Sequence, residues 1–588
     1  MRILFVLKGP LYARNLEYTL RHLVERGHRV HAAFEVESNK QPHQWELIER
    51  LEAELPGLTS GWAARRADDR WRALAGQLRL GLDYMRFYHP RYRTSPSLWV
   101  RAGTLAPATV RRTMALRPFA TAPGVRLVRG VLAWMERAVP PSPEIEAFLT
   151  EQAPDVMVVS PLVRFGTPQA DHLRAAKRLG IPNLYSAYSW DHLTTKGLIR
   201  GEPDNVTVWN EIQRREAVDL HGVPEDRVVA VGAAAFDHWF DWRPSSTREE
   251  FCARVGLRPD RPYLLYLGSA LISGDEVPFV ERWVRELRRH GDAAVREAGV
   301  LIRPHPKRPV RRGDFDLPDQ EEVAIWPEPG TSPVGVDWRS TLFDSVWHSA
   351  AVVGLNTSAF IDAGVIGRPS YSLLPPEFSD SQNETVHFHY LTEVSGGLLQ
   401  VAETLEQHVG QLSVLLRGEQ DPEPGRRFIE DFVRPGGIEV SAALRLADAV
   451  EAVAADPRLR PPRRAGAEPL ARLVLRPLAE LAYWREEDAK RWRIRRKRAR
   501  ARRTAWRRSG ARLAGMVARR RWAELGSLLG ERGARKAPGA GEGGAAERAL
   551  AQGHRTAPAD DGAAPNGAAP DGPASAPVEA PDRLPGAA

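Results

Sequence analysis

The segment Val300-Leu301-Ile302-Arg303-Pro304-His305-Pro306-Lys307-Arg308-Pro309 joins an apolar run to a cluster of hydrogen-bond donors. Arg303, His305 and Lys307 alternate with prolines that stiffen the stretch. An apolar strand would deliver these groups to its carboxyl end, the edge at which ligands bind in open α/β sheets. Cations at that spacing suit a phosphate or diphosphate; the plain alternative is a basic, proline-rich surface loop.

A second segment points the same way. Val352–Leu355 reads as a strand, Asn356-Thr357-Ser358 as a polar turn, and the residues up to Gly367-Arg368-Pro369 as a helix with its stop. Asn356, Thr357 and Ser358 then lie at a helix N-terminus, where free backbone N–H groups and the helix dipole favour an anion. Asp362 falls about one turn into the helix, placed to accept hydrogen bonds from ribose hydroxyls. The bland reading is an N-cap with a charged first-turn residue, as many helices have. Tyr263–Leu267 is a further predicted strand, ending in Gly268-Ser269, a turn whose glycine lets a ligand approach the backbone.

In the first half, Asp191 and His192 follow the predicted strand Asn183–Ala187. They are candidates for a general base facing an interdomain cleft, although an Asp-His pair in a loop is often structural. Glu384, His387 and His389 are close in sequence, and His387 and His389 would share one face of a strand. No carboxylate or cysteine pattern completes a metal site around them, so no metal is expected.

Together the His-Pro segment and the hydroxyl-bearing turn resemble the donor domain of GT-B glycosyltransferases. The likeness is closest to bacterial His-Pro-motif transferases, which include CDP-glycerol glycerophosphotransferases and sialyl- and polysialyltransferases. The resemblance implies that His305, Thr357 and Ser358 hold the donor's phosphates with Arg303 in support, and that Asp362 is the acidic ribose partner. Asp314-Phe315-Asp316 spells the Asp-x-Asp of metal-dependent GT-A transferases, but Arg311-Arg312-Gly313 precedes it where an apolar strand should stand, so it reads as loop. The expected chemistry uses neither metal nor cofactor: cations and a helix dipole stabilise the leaving nucleotide.

The elements that would position these residues alternate between short apolar strands and amphipathic helices. Residues 2–7 form the first strand, Leu16, Leu20 and Leu23 mark a helix closed by Gly27, and Val30–Phe34 is the next strand. The alternation resumes at Asp155–Ser160 and continues through Val206–Trp209 and Val228–Val231. After a linker at Asp241–Thr247 it restarts and runs to about residue 455. The expected fold class is α/β of the GT-B type: two Rossmann-like domains facing a cleft, 1–243 for the acceptor and 244–455 for the donor nucleotide. An Arg- and Trp-rich helical insertion is expected at about 45–140, a basic amphipathic helical arm at 465–532, and a disordered Ala/Gly/Pro tail at 533–588.

Charge is unevenly spread over the 588 residues, whose net charge is +9. Residues 485–536 carry 20 Lys/Arg against 5 acids, and 61–140 carry 15 Arg against 4 acids. The remainder is acidic, so two basic attachments ride on an acidic body and a polyanionic surface is the natural partner. Trp492, Ala499, Trp506 and Leu513 recur every seven residues among arginines. That pattern over 469–530 suits an anionic membrane surface better than nucleic acid, since no nucleic-acid-binding signature accompanies it. The single cysteine, Cys252, excludes an internal disulfide framework. The N-terminus reads as a strand and not a signal peptide, so a cytoplasmic protein, peripheral at the inner membrane face, is expected.

The reading is a metal-independent glycosyl- or polyol-phosphate transferase of bacterial surface-polymer synthesis. It would use a nucleotide-activated donor and an envelope glycan or lipid-linked acceptor. The competing readings are a UDP-sugar 2-epimerase and a non-catalytic nucleotide- or polymer-binding protein.

Overall fold

A computed structural model describes residues 1–36, 44–269, 275–317, 322–327, 336–419, 421, 423–460, 471–493, 495 and 496. One compact unit takes in residues 1–483 and a second begins at Trp484. Of the second unit, 484–493, 495 and 496 are helical. Ala499, Trp506, Leu513 and the tail at 533–588 lie outside the described residues, as does most of the expected basic arm.

The first sheet has seven parallel strands: β1 (Arg2–Leu7), β2 (Arg29–Phe34), β3 (Leu58–Trp62), β4 (Val156–Ser160), β5 (Asn183–Ser186), β6 (Asn205–Val208) and β7 (Val228–Ala230). Their order is β3-β2-β1-β4-β5-β6-β7, so the chain reverses its direction of travel between β1 and β4. The strands are short and apolar because helices cover both faces. On one face Leu20 and Leu23 of helix Glu17–Glu25 and Leu446 and Val450 of helix Ala442–Ala455 pack on Ile3 and Phe5. On the other, Leu78, Leu82 and Leu173 pack with Leu4 and Val6. Each such side chain, fully buried, contributes about 1.5–3 kcal/mol. Helix Ala170–Leu179 stops at Gly180, whose φ of +70° closes the last turn in the left-handed region.

The helical insertion begins later than the sequence pattern implied. Helix Glu46–Glu54 and β3 belong to the first sheet, with Leu58 to Trp62 in register against Val30 to Phe34. β3 lacks an apolar run because it is an edge strand with only Leu58 buried. The insertion proper runs from helix Arg72–Arg86 through helix Ala122–Ala138. Buried ion pairs fix it to the body. Arg79 donates to both oxygens of Asp171 at 2.6 and 2.9 Å and to Glu136 at 3.1 Å. Asp83 accepts from the backbone N–H groups of Gly166 and Leu198 at 2.7 and 2.8 Å. Pairing of this kind offsets the cost of burying charges this deep.

The second sheet has six parallel strands: β8 (Tyr263–Leu267), β9 (Gly299–Arg303), β10 (Val323–Ile325), β11 (Ala351–Gly354), β12 (Ser370–Leu373) and β13 (Leu399–Ala402). Their order is β10-β9-β8-β11-β12-β13, with the reversal between β8 and β11. The two sheets and their interleaved helices make a two-domain α/β fold with two Rossmann-like halves. Several contacts tie the halves together. Arg339 of the second pairs with Glu17 of the first at 2.7 Å, both nearly buried. Asp344 accepts from Ser245 and Ser246, on the connecting segment, at 2.6 and 2.7 Å. After the second sheet the chain returns: Asp237 pairs with Arg434 at 2.8 Å and caps the segment leading into helix Ala442–Ala455.

Candidate functional site

The reversal in the second sheet brings three loops together at the carboxyl ends of β9, β8 and β11. Gly268 donates its N–H to the Arg303 carbonyl at 3.0 Å. A Cβ on Gly268 would lie 3.0 Å from the His305 backbone nitrogen, so only glycine fits there without displacing the His305 loop. Ser269 is fully buried, and its hydroxyl accepts from the Asn356 N–H at 3.4 Å. Glu276 supports the same turn, accepting from the Ser269 N–H at 2.9 Å and the Tyr266 hydroxyl at 3.0 Å. Thus Gly268, Ser269, His305 and Asn356, far apart in sequence, share one edge, where a crevice opens in doubly wound sheets.

His305 is half-buried, and its Nδ1 accepts from the Lys307 N–H at 3.1 Å. That bond places the ring proton on Nε2, which is left as a donor. Burial, with Lys307, Arg14 and Arg308 nearby, pushes the imidazole down to about 4. The ring is therefore neutral at pH 7. Lys307 is exposed. Helix Ala359–Ile366 follows the polar turn. Thr357 is nearly buried and accepts from the Ala359 N–H at 3.4 Å, whereas Ser358 is exposed and makes no capping bond.

Two expected donor residues are occupied inside the fold. Arg303 is 2% exposed, donates to Ser345 Oγ at 3.0 Å and to Thr341 at 3.3 Å, and stacks on Trp338 and Trp326. Burial without a carboxylate lowers its guanidinium to about 9. It braces the strand end; its donors do not reach out to a ligand. Asp362 accepts from the Trp239 indole N–H at 2.6 Å, which takes up one of the oxygens assigned to ribose. Burial pushes its carboxyl up to about 6 against the pull of that bond and of Arg14.

Across from this edge, Asp191 starts the short helix His192–Thr195. Its oxygens accept from Ser189 Oγ at 2.6 Å and Thr195 Oγ1 at 3.0 Å, and Lys196 Nζ lies 3.8 Å away. Burial opposes the charge on Asp191, yet His192, Lys196 and His387 hold the carboxyl well below the usual range. His192 and His387 are pushed down to about 4 by burial, and Asp191 offsets part of that shift in each. Each has a buried Nδ1 with no hydrogen-bond partner. His192 stacks on Tyr188 at 5.6 Å, and His387 meets the edge of Trp190 at 4.8 Å.

Cations that no sequence motif marks join the two sides. Lys196 is depressed by burial and then by Arg101, Lys307 and Lys8. Lys307 belongs to the second half, so positive groups from both halves converge on one space. Lys8 ends β1, and Arg14 lies in the turn Pro10–Leu16. Neither has a motif around it: both are brought in by the reversal at β1. His387 is another departure. It caps the start of helix Phe388–Glu393 and does not lie in a strand, and His389 is half-exposed, 3.4 Å from Glu393. Among the described residues, no group of three or more His, Cys, Asp or Glu side chains is arranged to hold a metal. Asp314 ends a short 3-10 turn and accepts from the Arg311 N–H at 2.8 Å, a loop as expected.

No family model matches the chain, and no curated protein matches it. Solved structures are similar in outline. A glycosyltransferase from Rickettsia africae covers 77% of this chain and 99% of its own at 10% identity, with a TM-score of 0.44. A UDP-GlcNAc 2-epimerase from Neisseria meningitidis, bound to UDP-GlcNAc, covers 77% and 100% at 10% identity and 0.43. The wall teichoic acid polymerase TagF covers 77% and 89% at 9% identity and 0.37. Transferases and an epimerase share the outline alike, and likenesses this distant leave the chemistry to the residues of the cleft.

Proposed function

We propose that the protein is a transferase using a nucleotide-activated donor, with the donor's phosphates held at the carboxyl edge of the second sheet. The observation that carries this reading is the convergence of His305 and Lys307 from one half with Lys8, Arg14 and Lys196 from the other. Such a set neutralises the charge of a leaving nucleotide. Asp362, with one oxygen free of Trp239, remains the candidate for a ribose hydroxyl.

On the acceptor side, His192 is neutral at pH 7 and half-buried, and with Nδ1 enclosed, Nε2 is the ring nitrogen an acceptor can reach. It takes the proton of the attacking hydroxyl, and the adjacent Asp191 carboxylate stabilises the imidazolium formed. The acceptor oxygen bonds to the donor's reacting carbon or phosphorus as the bond to the nucleotide breaks, and the nucleotide leaves with the electron pair. The donor is a nucleotide sugar or a nucleotide-linked polyol phosphate. The acceptor is an envelope glycan or lipid-linked hydroxyl, in keeping with the excess of arginine in the insertion. This reading calls on no metal, and the basic stretch 469–530 would hold the enzyme against an anionic membrane.

The test is product analysis with labelled UDP-, CDP- and GDP-linked donors, with and without a glycan primer. Label transferred to the primer, and lost in His192→Ala, supports the reading. Label remaining on a nucleotide sugar of altered configuration would make the protein an epimerase. Tight nucleotide binding with no turnover under any condition would make it a binding protein.

A further inference from the structure

The insertion carries a surface that the cleft does not use. From Tyr84 to Met135 the chain has nine arginines and no Asp, Glu or Lys. Helix Ala122–Ala138 packs Leu132, and partly Val128 and Met135, against the body. A surface helix normally turns polar residues outward from there. Here Leu127, Val131 and Trp134 are 59, 47 and 48% exposed, spaced by four and three residues along one side. Exposed Arg126 and Arg137 flank them on the same helix.

The neighbouring helical stretch, 471–483, repeats the arrangement. Ala471, Leu475 and Ala479 face inward, while Leu473 and Val474 are 70 and 68% exposed. Arg472 Nε donates to the Ala138 carbonyl at 3.1 Å, so the start of this stretch adjoins the end of the insertion helix. Single exposed apolar residues are ordinary on a protein surface. A run of them on two adjoining helices, set mostly among arginines, with the one acid of the second helix, Glu480, paired to Arg70 at 3.5 Å, marks a binding surface.

We propose that this face docks on an anionic phospholipid bilayer. Leu127, Val131 and Trp134 enter the headgroup layer, and Arg126 and Arg137 beside them meet the lipid phosphates. The choice of partner rests on the pairing of chemistries. A nucleic acid engages arginines and aromatic faces but gains nothing from exposed leucine and valine. An acidic soluble protein would match the charge, yet the aliphatic side chains are spaced along a helix side as an interfacial helix requires. The inference is independent of the donor chemistry.

The test uses the full chain with Val131→Cys carrying an NBD dye; the native thiol Cys252 is buried and does not compete. Vesicles of equal parts phosphatidylcholine and phosphatidylglycerol should shift the dye emission to the blue, whereas pure phosphatidylcholine and poly(U) should not. The variant Leu127→Ser/Val131→Ser/Trp134→Ser should partition to the anionic vesicles about tenfold less, with an unchanged circular dichroism spectrum. The dye reports on this helix alone, so vesicle binding through other basic residues is distinguishable. The proposal is overturned if the protein pellets with vesicles while the dye stays in water, if poly(U) produces the same shift, or if the triple variant partitions like the wild type.

Discussion

His305→Ala tests the donor site at its centre. The Lys307 N–H occupies Nδ1 at 3.1 Å, so the ring offers Nε2–H, and a pKa of about 4 keeps it neutral from pH 6 to pH 8. A hydrogen bond to a charged phosphate oxygen is worth about 1.5–3 kcal/mol. Its loss raises the nucleotide Kd by about 13- to 160-fold at 25 °C. The substitution itself costs little stability: His305 is half-buried, and water replaces it at the exposed Lys307 N–H, so the free energy of unfolding should change by less than about 0.5 kcal/mol. Isothermal titration calorimetry with UDP, CDP and GDP, on wild type and variant at pH 6 and pH 8, measures the effect. The loss should be the same at both pH values. An unchanged Kd for the nucleotide that binds best would remove His305 from the site. A loss that grows toward pH 6 would show a protonated ring in the complex and refute the neutral-donor argument.

Three further outcomes are expected. Gly268→Ala puts a Cβ 3.0 Å from the His305 nitrogen, and backbone cannot swing aside; overpacking of this kind costs about 1–3 kcal/mol, so calorimetry should show nucleotide affinity falling about tenfold or more. His172 and His408 are buried and pushed down to about 4, so the unfolded state alone takes up their protons as the pH falls below about 6.5; unfolding free energies from urea titrations between pH 7 and 4 should drop by up to about 1.4 kcal/mol per pH unit for each, and His408→Leu should flatten that slope by one proton. Arg303→Met replaces a buried guanidinium that has no carboxylate partner, so its thermal midpoint should be equal to or above the wild type's, and nucleotide affinity should change by less than about threefold.

The strands of both sheets were legible in the sequence wherever burial on two faces demanded an apolar run, as at Ile3–Leu7, Val156–Val159 and Val300–Ile302. β3 was not, because an edge strand with one buried residue leaves no such mark. The donor edge was legible for a related reason: Gly268, His305 and Asn356 each follow an apolar strand directly, and the sheet order sets those strand ends side by side. The commitments of Arg303 and Asp362 were not. They depend on Thr341, Trp338 and Trp239, partners fixed by packing between distant segments. Lys8, Arg14 and Lys196 were missed because converging charge from two halves of a chain has no local signature.

The return of helix Ala442–Ala455 to the first sheet governs the order in which the protein can be completed on the ribosome. Leu446, Ala447, Val450 and Val453 cover Ile3, Phe5 and Leu20, so the apolar face that emerges first is closed only by residues made after the whole second sheet. Until they emerge, the nascent first half presents β1 and β4 with part of one face bare. At ordinary synthesis rates the second half occupies that interval for about ten to forty seconds. The first half is therefore a natural client for a chaperone during translation, and a nascent chain stalled within the second half should aggregate through the uncovered face of β1.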